Sequence, residues 1–208
     1  GDPGGAAGRY NRALELHRRR EDGAGPVRTL ELQLSIGRTA LRALRLELGE
    51  QALRGAAHGA DAAGQHGHGA EASILLCRLL SRQGRLEEAL EWGQRAVPLA
   101  RRAGDQAVLA RAYAAIADSY QQRGEFGPDL EYVSAAIGIA SETGDALRLG
   151  EYLQLAVMHA GGVGHFEQTW DYLRRARAVA RQTGDAVLSC QLFRLEAGLQ
   201  LFMGDYHA

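Results

Sequence analysis

Three histidines, His58, His66 and His68, fall in or beside a glycine-rich stretch, and an H-x-H pair with a third imidazole upstream has ligand types that suit a transition metal. Asp61 is the only nearby carboxylate that could join them, so the set reads better as a polar loop than as a metal centre. His159 and His165 flank Gly161-Gly162, and His17 lies further upstream. A general base must sit within hydrogen-bond reach of the proton it takes, and no nucleophile stands beside any of the three in sequence. Cys77 and Cys190 lie inside helical patterns and read as small apolar residues rather than a disulfide, which suits a reducing, cytoplasmic compartment. The sequence has no G-x-x-x-x-G-K-[ST] loop, no G-x-S-x-G elbow and no H-E-x-x-H pair. Gly161-Gly162-Val163-Gly164 follows a helical pattern rather than a strand, so it reads as a loosened turn and not as a phosphate cradle. The expectation is a non-catalytic protein with no metal and no cofactor.

Charge excludes further classes. Twenty-four basic and 25 acidic residues are interspersed for a net charge of −1, so no basic face for nucleic acid is expected. The densest basic run, Arg18-Arg19-Arg20, reads as a solvated helix end. No apolar run approaches the roughly 20 residues a membrane span requires, and no signal peptide is expected. The opening Gly1-Asp2-Pro3-Gly4-Gly5 lacks an initiator Met, and residues 1–7 are expected to be an added or disordered leader. The sequence stops at Gly204-Asp205-Tyr206, where the pattern calls for another helix, and is expected to be a fragment of a longer protein.

The elements that must position any functional residue are set by glycine. Gly104-Asp105 recurs as Gly144-Asp145 and Gly184-Asp185, with Gly64 one further period upstream, and Gly84, Gly124, Gly164 and Gly204 run halfway between. Glycine ends a helix in the left-handed conformation without a steric penalty, and the aspartate after it can cap the next helix. Two interleaved glycine series of forty-residue period describe a helix–turn–helix unit stacked on copies of itself. Residues 8–22 read as an amphipathic helix, followed by a long helix over 27–48 whose turn, at Gly49, falls five residues late. Residues 50–69 hold Gly55, Gly59, Gly64, Gly67 and Gly69, so a short helix near 50–63 and then a mobile loop are expected. Helices are predicted near 70–83, 85–103, 106–123, 128–143, 146–162, 165–183 and 186–203. Trp92, Tyr132 and Tyr172 share one position in the second helices and Ala96, Ala136 and Ala176 another, a large residue beside a small one at an interlocking interface. Pro128 suits a first helical turn, whereas Pro98 lies inside a helix and is expected to kink it.

Tyr113, Ile116-Ala117, Tyr120, Gly124, Phe126 and Ala136 fall on the spacing of the tetratricopeptide repeat, and Leu76, Leu80, Gly84, Leu86, Ala89 and Ala96 repeat it one unit earlier. The resemblance covers roughly residues 27–206. Asp129 and Thr169 depart from it at the small-residue position held by Ala89, and the last helix is rotated so that Leu192, Leu195, Leu199 and Phe202 point inward. It implies an all-α, right-handed superhelix of antiparallel helix pairs, with about five units and nine to ten helices over residues 8–208: divergent over 8–69, regular over 70–183, partial over 186–208. The forty-residue period, with "RRAGD", "SETGD" and "RQTGD" closing the units, is similar to arrays attached to bacterial signalling ATPases, transcriptional regulators and class III cyclases.

By that resemblance the first helices line a groove carrying Glu71, Ile74, Arg78, Ser81 and Arg82, then Arg111, Asp118, Gln121 and Gln122, then Glu151, Gln154 and Met158. Mixed charges and amides suit a protein or peptide segment as partner. The function implied is a regulatory protein-interaction module of a bacterial signalling protein. The alternative is a domain sensing a ligand or signal peptide and controlling an attached ATPase or cyclase. Nucleic acid and membrane are not expected as partners, and self-association through the exposed terminal repeat face is a third expectation.

Overall fold

The computed structural model describes residues 26–203 apart from Phe126, with isolated positions 5, 8, 9 and 12. The helix expected over 8–22, Arg18-Arg19-Arg20, His17, the side chain of Phe202 and the terminal Gly204-Asp205-Tyr206 therefore lie outside the described residues. Among the described residues there are nine helices and no strand: α1 Pro26–Arg42, α2 Leu46–Ala62, α3 His66–Arg82, α4 Leu86–Ala103, α5 Gln106–Arg123, α6 Pro128–Thr143, α7 Ala146–Gly162, α8 Phe166–Thr183 and α9 Ala186–Met203.

One left-handed residue punctuates every turn. These residues recur at intervals of twenty, as Leu44, Gly64, Gly84, Gly104, Gly124, Gly144, Gly164 and Gly184, with φ between 55° and 77°. The residue after the left-handed one donates its N–H to the carbonyl five back: Arg45 to Ala40, Gln65 to Ala60, Arg85 to Leu80, Asp105 to Ala100, Asp145 to Ala140, His165 to Ala160 and Asp185 to Ala180. This ties off a helix end that would otherwise leave carbonyls unsatisfied. The aspartates then cap the following helix, Asp105 Oδ1 accepting from Val108 N–H at 2.9 Å, Asp145 Oδ1 from Arg148 at 3.0 Å and Asp185 Oδ1 from Leu188 at 2.9 Å.

The N-terminal elements correct the sequence-based boundaries. The predicted helix over 27–48 ends at Arg42, because Leu44 takes the left-handed place that glycine fills elsewhere, at φ 55°. The turn is in phase after all, and Gly49 lies buried inside α2. The predicted loop before residue 70 is the first turn of α3, which starts at His66. On propensity alone each interior glycine costs about 1 kcal/mol. Here they allow close approach: a Cβ on Gly49 would stand 2.8 Å from Leu79 Cδ1, and one on Gly59 would stand 2.9 Å from Leu30 Cδ2. Helix α4 runs as one element through the exposed Pro98.

The described helices fall into two compact units, divided between Arg123 and Gly124. In the first, α3 packs against α2 and α4 and lies beside α1 and α5, so α1, α3 and α5 form one layer and α2 and α4 the other. Leu34, Leu53, Leu76, Leu80, Ala96 and Ala115 belong to the core between them. In the second, α7 packs on α6 and α8, and α9 closes against α8 and α7. Its core includes Val133, Ile137, Leu153, Val157, Leu173 and Leu192, with Ala136 and Ala176 fully buried at their shared position. In α9, Leu192 points inward as predicted and Leu195 and Leu199 are half-buried, while Phe193 on the other side is 70% exposed.

Leu44→Gly should raise stability, since it removes a left-handed penalty of about 1 kcal/mol while loosening the unfolded state by somewhat less. Gly104→Ala, at the same place in a later turn, should lower stability by about 1 kcal/mol. Urea unfolding of the two variants against the parent protein reads both signs.

Candidate functional site

On the α1–α3–α5 layer, α3 is buried over most of its length, and Gln33, Glu71, Ser73 and Ser119 lie buried among the apolar residues. Glu71 on α3 stands at the centre. Its Oε1 accepts from Arg38 Nη2 of α1 at 2.9 Å and from Arg111 Nη2 of α5 at 2.7 Å, and Arg111 Nη2 is 2.6 Å from Oε2. One carboxylate thus ties three helices together. The Glu71 side chain is only 8% exposed. Burial opposes its ionisation, but the hydrogen bonds and charges of Arg111 and Arg38 outweigh that and hold the carboxyl below its ordinary value.

A cleft opens on either side of this cluster. One, of about 490 Å³, is lined by Glu31, Arg38, His68, Glu71 and Asp105 among others. The other, of about 300 Å³, is lined by Arg78, Ser81, Arg82, Ala115, Asp118 and Gln122. Behind the second, Ser81 Oγ lies 2.8 Å from Ser119 Oγ, which is 3.3 Å from Cys77 Sγ. Burial pushes the Cys77 thiol up to about 11, so it remains a thiol and is no nucleophile.

The structure brings several of the predicted groove residues of this layer together, while Glu71 is buried and held by Arg38 and Arg111 and two more leave the face. Ile74 is wholly buried and belongs to the core. Ser81 is 5% exposed, and its hydroxyl donates into the helix at Cys77 O, 2.9 Å away. Neither is open to a partner. Arg78, Arg82, Asp118 and Gln122 share the smaller cleft, Gln121 is half-buried beside it, and Arg111 is bound to Glu71. Glu151, Gln154 and Met158 lie on α7 in the second unit, where Glu151 pairs with Arg148 at 2.6 Å and Met158 is 42% exposed.

Sequence reasoning missed Arg38, yet a signal existed. Opposite charges 33 to 35 residues apart pair repeatedly across neighbouring helices of one layer: Arg38 with Glu71, Arg54 with Glu88, Arg95 with Asp61, Arg85 with Glu50. Asp61 is thereby engaged, and His58 lies exposed on α2 while His66 and His68 lie on α3. No group of three metal-ligating side chains stands together among the described residues.

The second unit holds a further pair that the sequence reading left apart. Asp129, at the position that alanine holds as Ala89, is fully buried and its Oδ2 lies 3.0 Å from Nδ1 of the equally buried His159. Asp129 Oδ1 accepts from the N–H groups of Gly127 and Leu130, both at 2.8 Å. The Asp129–His159 approach is close without the alignment of a hydrogen bond. The pair lies buried between α6 and α7.

Glu71→Gln should cost about 2 kcal/mol, since it leaves two arginines of a partly buried cluster short of a countercharge. Because the folded carboxyl titrates below its ordinary value of 4.5, its stabilisation is complete above that value. It drains as pH falls through the lower folded value. The stability gap between parent and Glu71→Gln should therefore narrow in acid, as denaturant titrations at several pH values would show. A double-mutant cycle of Asp129→Ala and His159→Ser should return a coupling of about 1 to 3 kcal/mol, each single change costing more than the pair.

Residues 70–142 match the tetratricopeptide repeat model. No curated protein matches in sequence. Among solved structures, BtubC (BKLC) from P. vanneervenii superposes with a TM-score of 0.80 at 17% identity, over 99% of this chain and 86% of that one. A Rap protein complexed with Competence and Sporulation Factor gives 0.75 at 14% identity, over 96% of this chain and 60% of that one. A signal transduction ATPase with a tetratricopeptide repeat sensor, from Pyrococcus horikoshii, gives 0.68 at 14% identity, over 82% of this chain and 27% of that one. At these identities the likenesses speak for the fold, and the chain spans less than two thirds of the latter two proteins. The matched repeats over residues 70–142, the twenty-residue helical step and the shared architecture show a tetratricopeptide-repeat-like fold.

Proposed function

We propose that the protein is a non-catalytic interaction module whose α1–α3–α5 face binds a protein or peptide segment. The observation that carries this is the pair of polar clefts flanking the Glu71 cluster. A face serving only as a solvated surface has no need of concavities lined by arginine, carboxylate and amide on three successive helices. Such a surface suits an extended segment recognised through side-chain hydrogen bonds. A similar fold is described in a Rap protein complexed with Competence and Sporulation Factor, which supports a peptide as occupant.

The same face would serve the second reading, a domain that senses a ligand or signal peptide and governs an attached ATPase or cyclase in a bacterial signalling protein. The likeness to a signal transduction ATPase with a repeat sensor supports that setting. No helix among the described residues is long and apolar enough to cross a membrane. The compartment that goes with this reading is the cytoplasm, where such an ATPase or cyclase would find its nucleotide.

Panning a displayed peptide library on the purified protein tests the face. Selected peptides should lose about tenfold in affinity, some 1.4 kcal/mol, on Arg82→Ala or Gln122→Ala. They should be indifferent to Gln94→Ala on the exposed side of α4. Peptides that respond to the α4 change and ignore the other two would refute the assignment.

A further inference from the structure

Helix α9 packs on α8 and α7, with Leu188 and Leu192 buried. Away from that contact Val187, Phe193 and Leu201 stand 68%, 70% and 60% exposed, with Cys190 exposed among them. Forty residues upstream, on α7, the counterparts of Cys190, Phe193 and Leu201 are Gly150, Leu153 and Gly161, and all three are buried. A Cβ on Gly161 would stand 2.9 Å from Leu199 of α9, so on α7 the fold covers this face with a helix.

Gly198 is a second, separate sign. Gly49, Gly59, Gly93, Gly150 and Gly161 sit in helices where a neighbouring helix presses a side chain against them. A Cβ on Gly198 would meet nothing within 4 Å, so no contact within the chain calls for a residue that weakens a helix. Gly138 is equally open, but it lies among the exposed Ser134, Ser141 and Glu142 rather than apolar side chains.

The order of the exposed residues selects the occupant. Val187, Cys190, Arg194, Gly198 and Leu201 form one exposed stripe at spacings of three, four, four and three. From either end it runs large apolar, small, arginine, small, large apolar. A second helix with the same stripe, laid antiparallel about a two-fold axis at Arg194, brings Val187 level with Leu201 and Cys190 level with Gly198. A two-fold contact requires such a patch, one that complements itself. The two arginines at the axis would repel each other, and Phe193 beside the stripe offers each guanidinium a ring to lie on. The chain already makes that contact twice, with Arg95 4.9 Å from the Trp92 ring and Arg175 5.8 Å from the Tyr172 ring.

We propose that the outer face of α9 is a self-association surface, on which a second copy of this chain lays its own α9 antiparallel, centred on Arg194. One helix pair buries less than the roughly 800 Å² per partner of a standard interface, so the pairing is reversible, with a dissociation constant on the order of 10⁻⁴ M. It uses no residue of the α1–α3–α5 face, so the two assignments stand or fall separately.

Sedimentation equilibrium of the full chain in reductant, over roughly a hundredfold range of concentration about that constant, should show monomer and dimer exchanging. Gly198→Leu fills space that is open in the single chain, so it should leave thermal stability unchanged or higher while weakening the dimer about tenfold. Leu201→Glu should abolish the dimer, whereas Leu147→Glu, at an exposed leucine of α7, should not affect it. Cross-linking reads the register. In a Cys190→Ser background the remaining Cys77 is buried, and Arg194→Cys, at the axis, should give a disulfide-linked dimer on mild oxidation. Val187→Cys should not, because each copy of residue 187 lies level with residue 201 of the other, about 21 Å along the helix from its own counterpart. A monomer throughout the range overturns the proposal and leaves the face to a partner of different sequence. A dimer indifferent to both Gly198→Leu and Leu201→Glu, or one that cross-links equally through Val187→Cys, overturns it too.

Discussion

Everything in this molecule depends on how a helix is made to stop. The left-handed residue with its N–H bond reaching five residues back recurs every twenty positions, and it sets helix length, reversal and phase at one stroke. Because helices of equal length reverse at equal intervals, residues forty apart occupy equivalent places on neighbouring helices of a layer. That equivalence lets Glu71 meet Arg111 at a separation of forty residues. It also lets a layer carry charges in register, with pairs such as Arg38–Glu71, Glu71–Arg111 and Arg54–Glu88 fastening one repeat to the next.

Much of this was legible from residue types alone, since glycine and the capping aspartate report their own conformations. The helices from residue 70 onward, the inward alanines and the aspartate caps follow directly from them. What escaped was conformation imposed by context. Leu44 is a poor occupant of a left-handed turn and carries no local sign of being one; the bond from Arg45 to Ala40 and the packing of the flanking helices hold it there. The glycines of α2 point the same way. Read locally they weaken a helix, whereas against Leu79 and Leu30 they are what lets the helices come close.

The proposed binding face was half legible. Helical phase places Arg78, Arg82, Asp118 and Gln122 together, and they do share a cleft. Phase does not say how deeply a residue sits, so Ile74 and Ser81, on the border of the face, fall into the core and the buried hydroxyl network instead. Arg38 lay beyond the reading because it meets Glu71 not at the period but seven residues short of it, two helical turns along. Side chains as long as arginine span that offset, and only the assembled layer shows which carboxylate they choose.

The buried Asp129–His159 pair bears on a hazard particular to proteins built from near copies. Equivalent alanine and leucine positions are interchangeable enough for one copy to dock where another belongs, a fault that a uniformly apolar interface barely penalises. A carboxylate sealed from water is less forgiving. Slipped by one repeat, Asp129 would face Leu199 instead of an imidazole, and a buried polar group would lie against hydrocarbon. The pair acts as a key cut for a single lock, making the correct neighbour recognisable among its look-alikes.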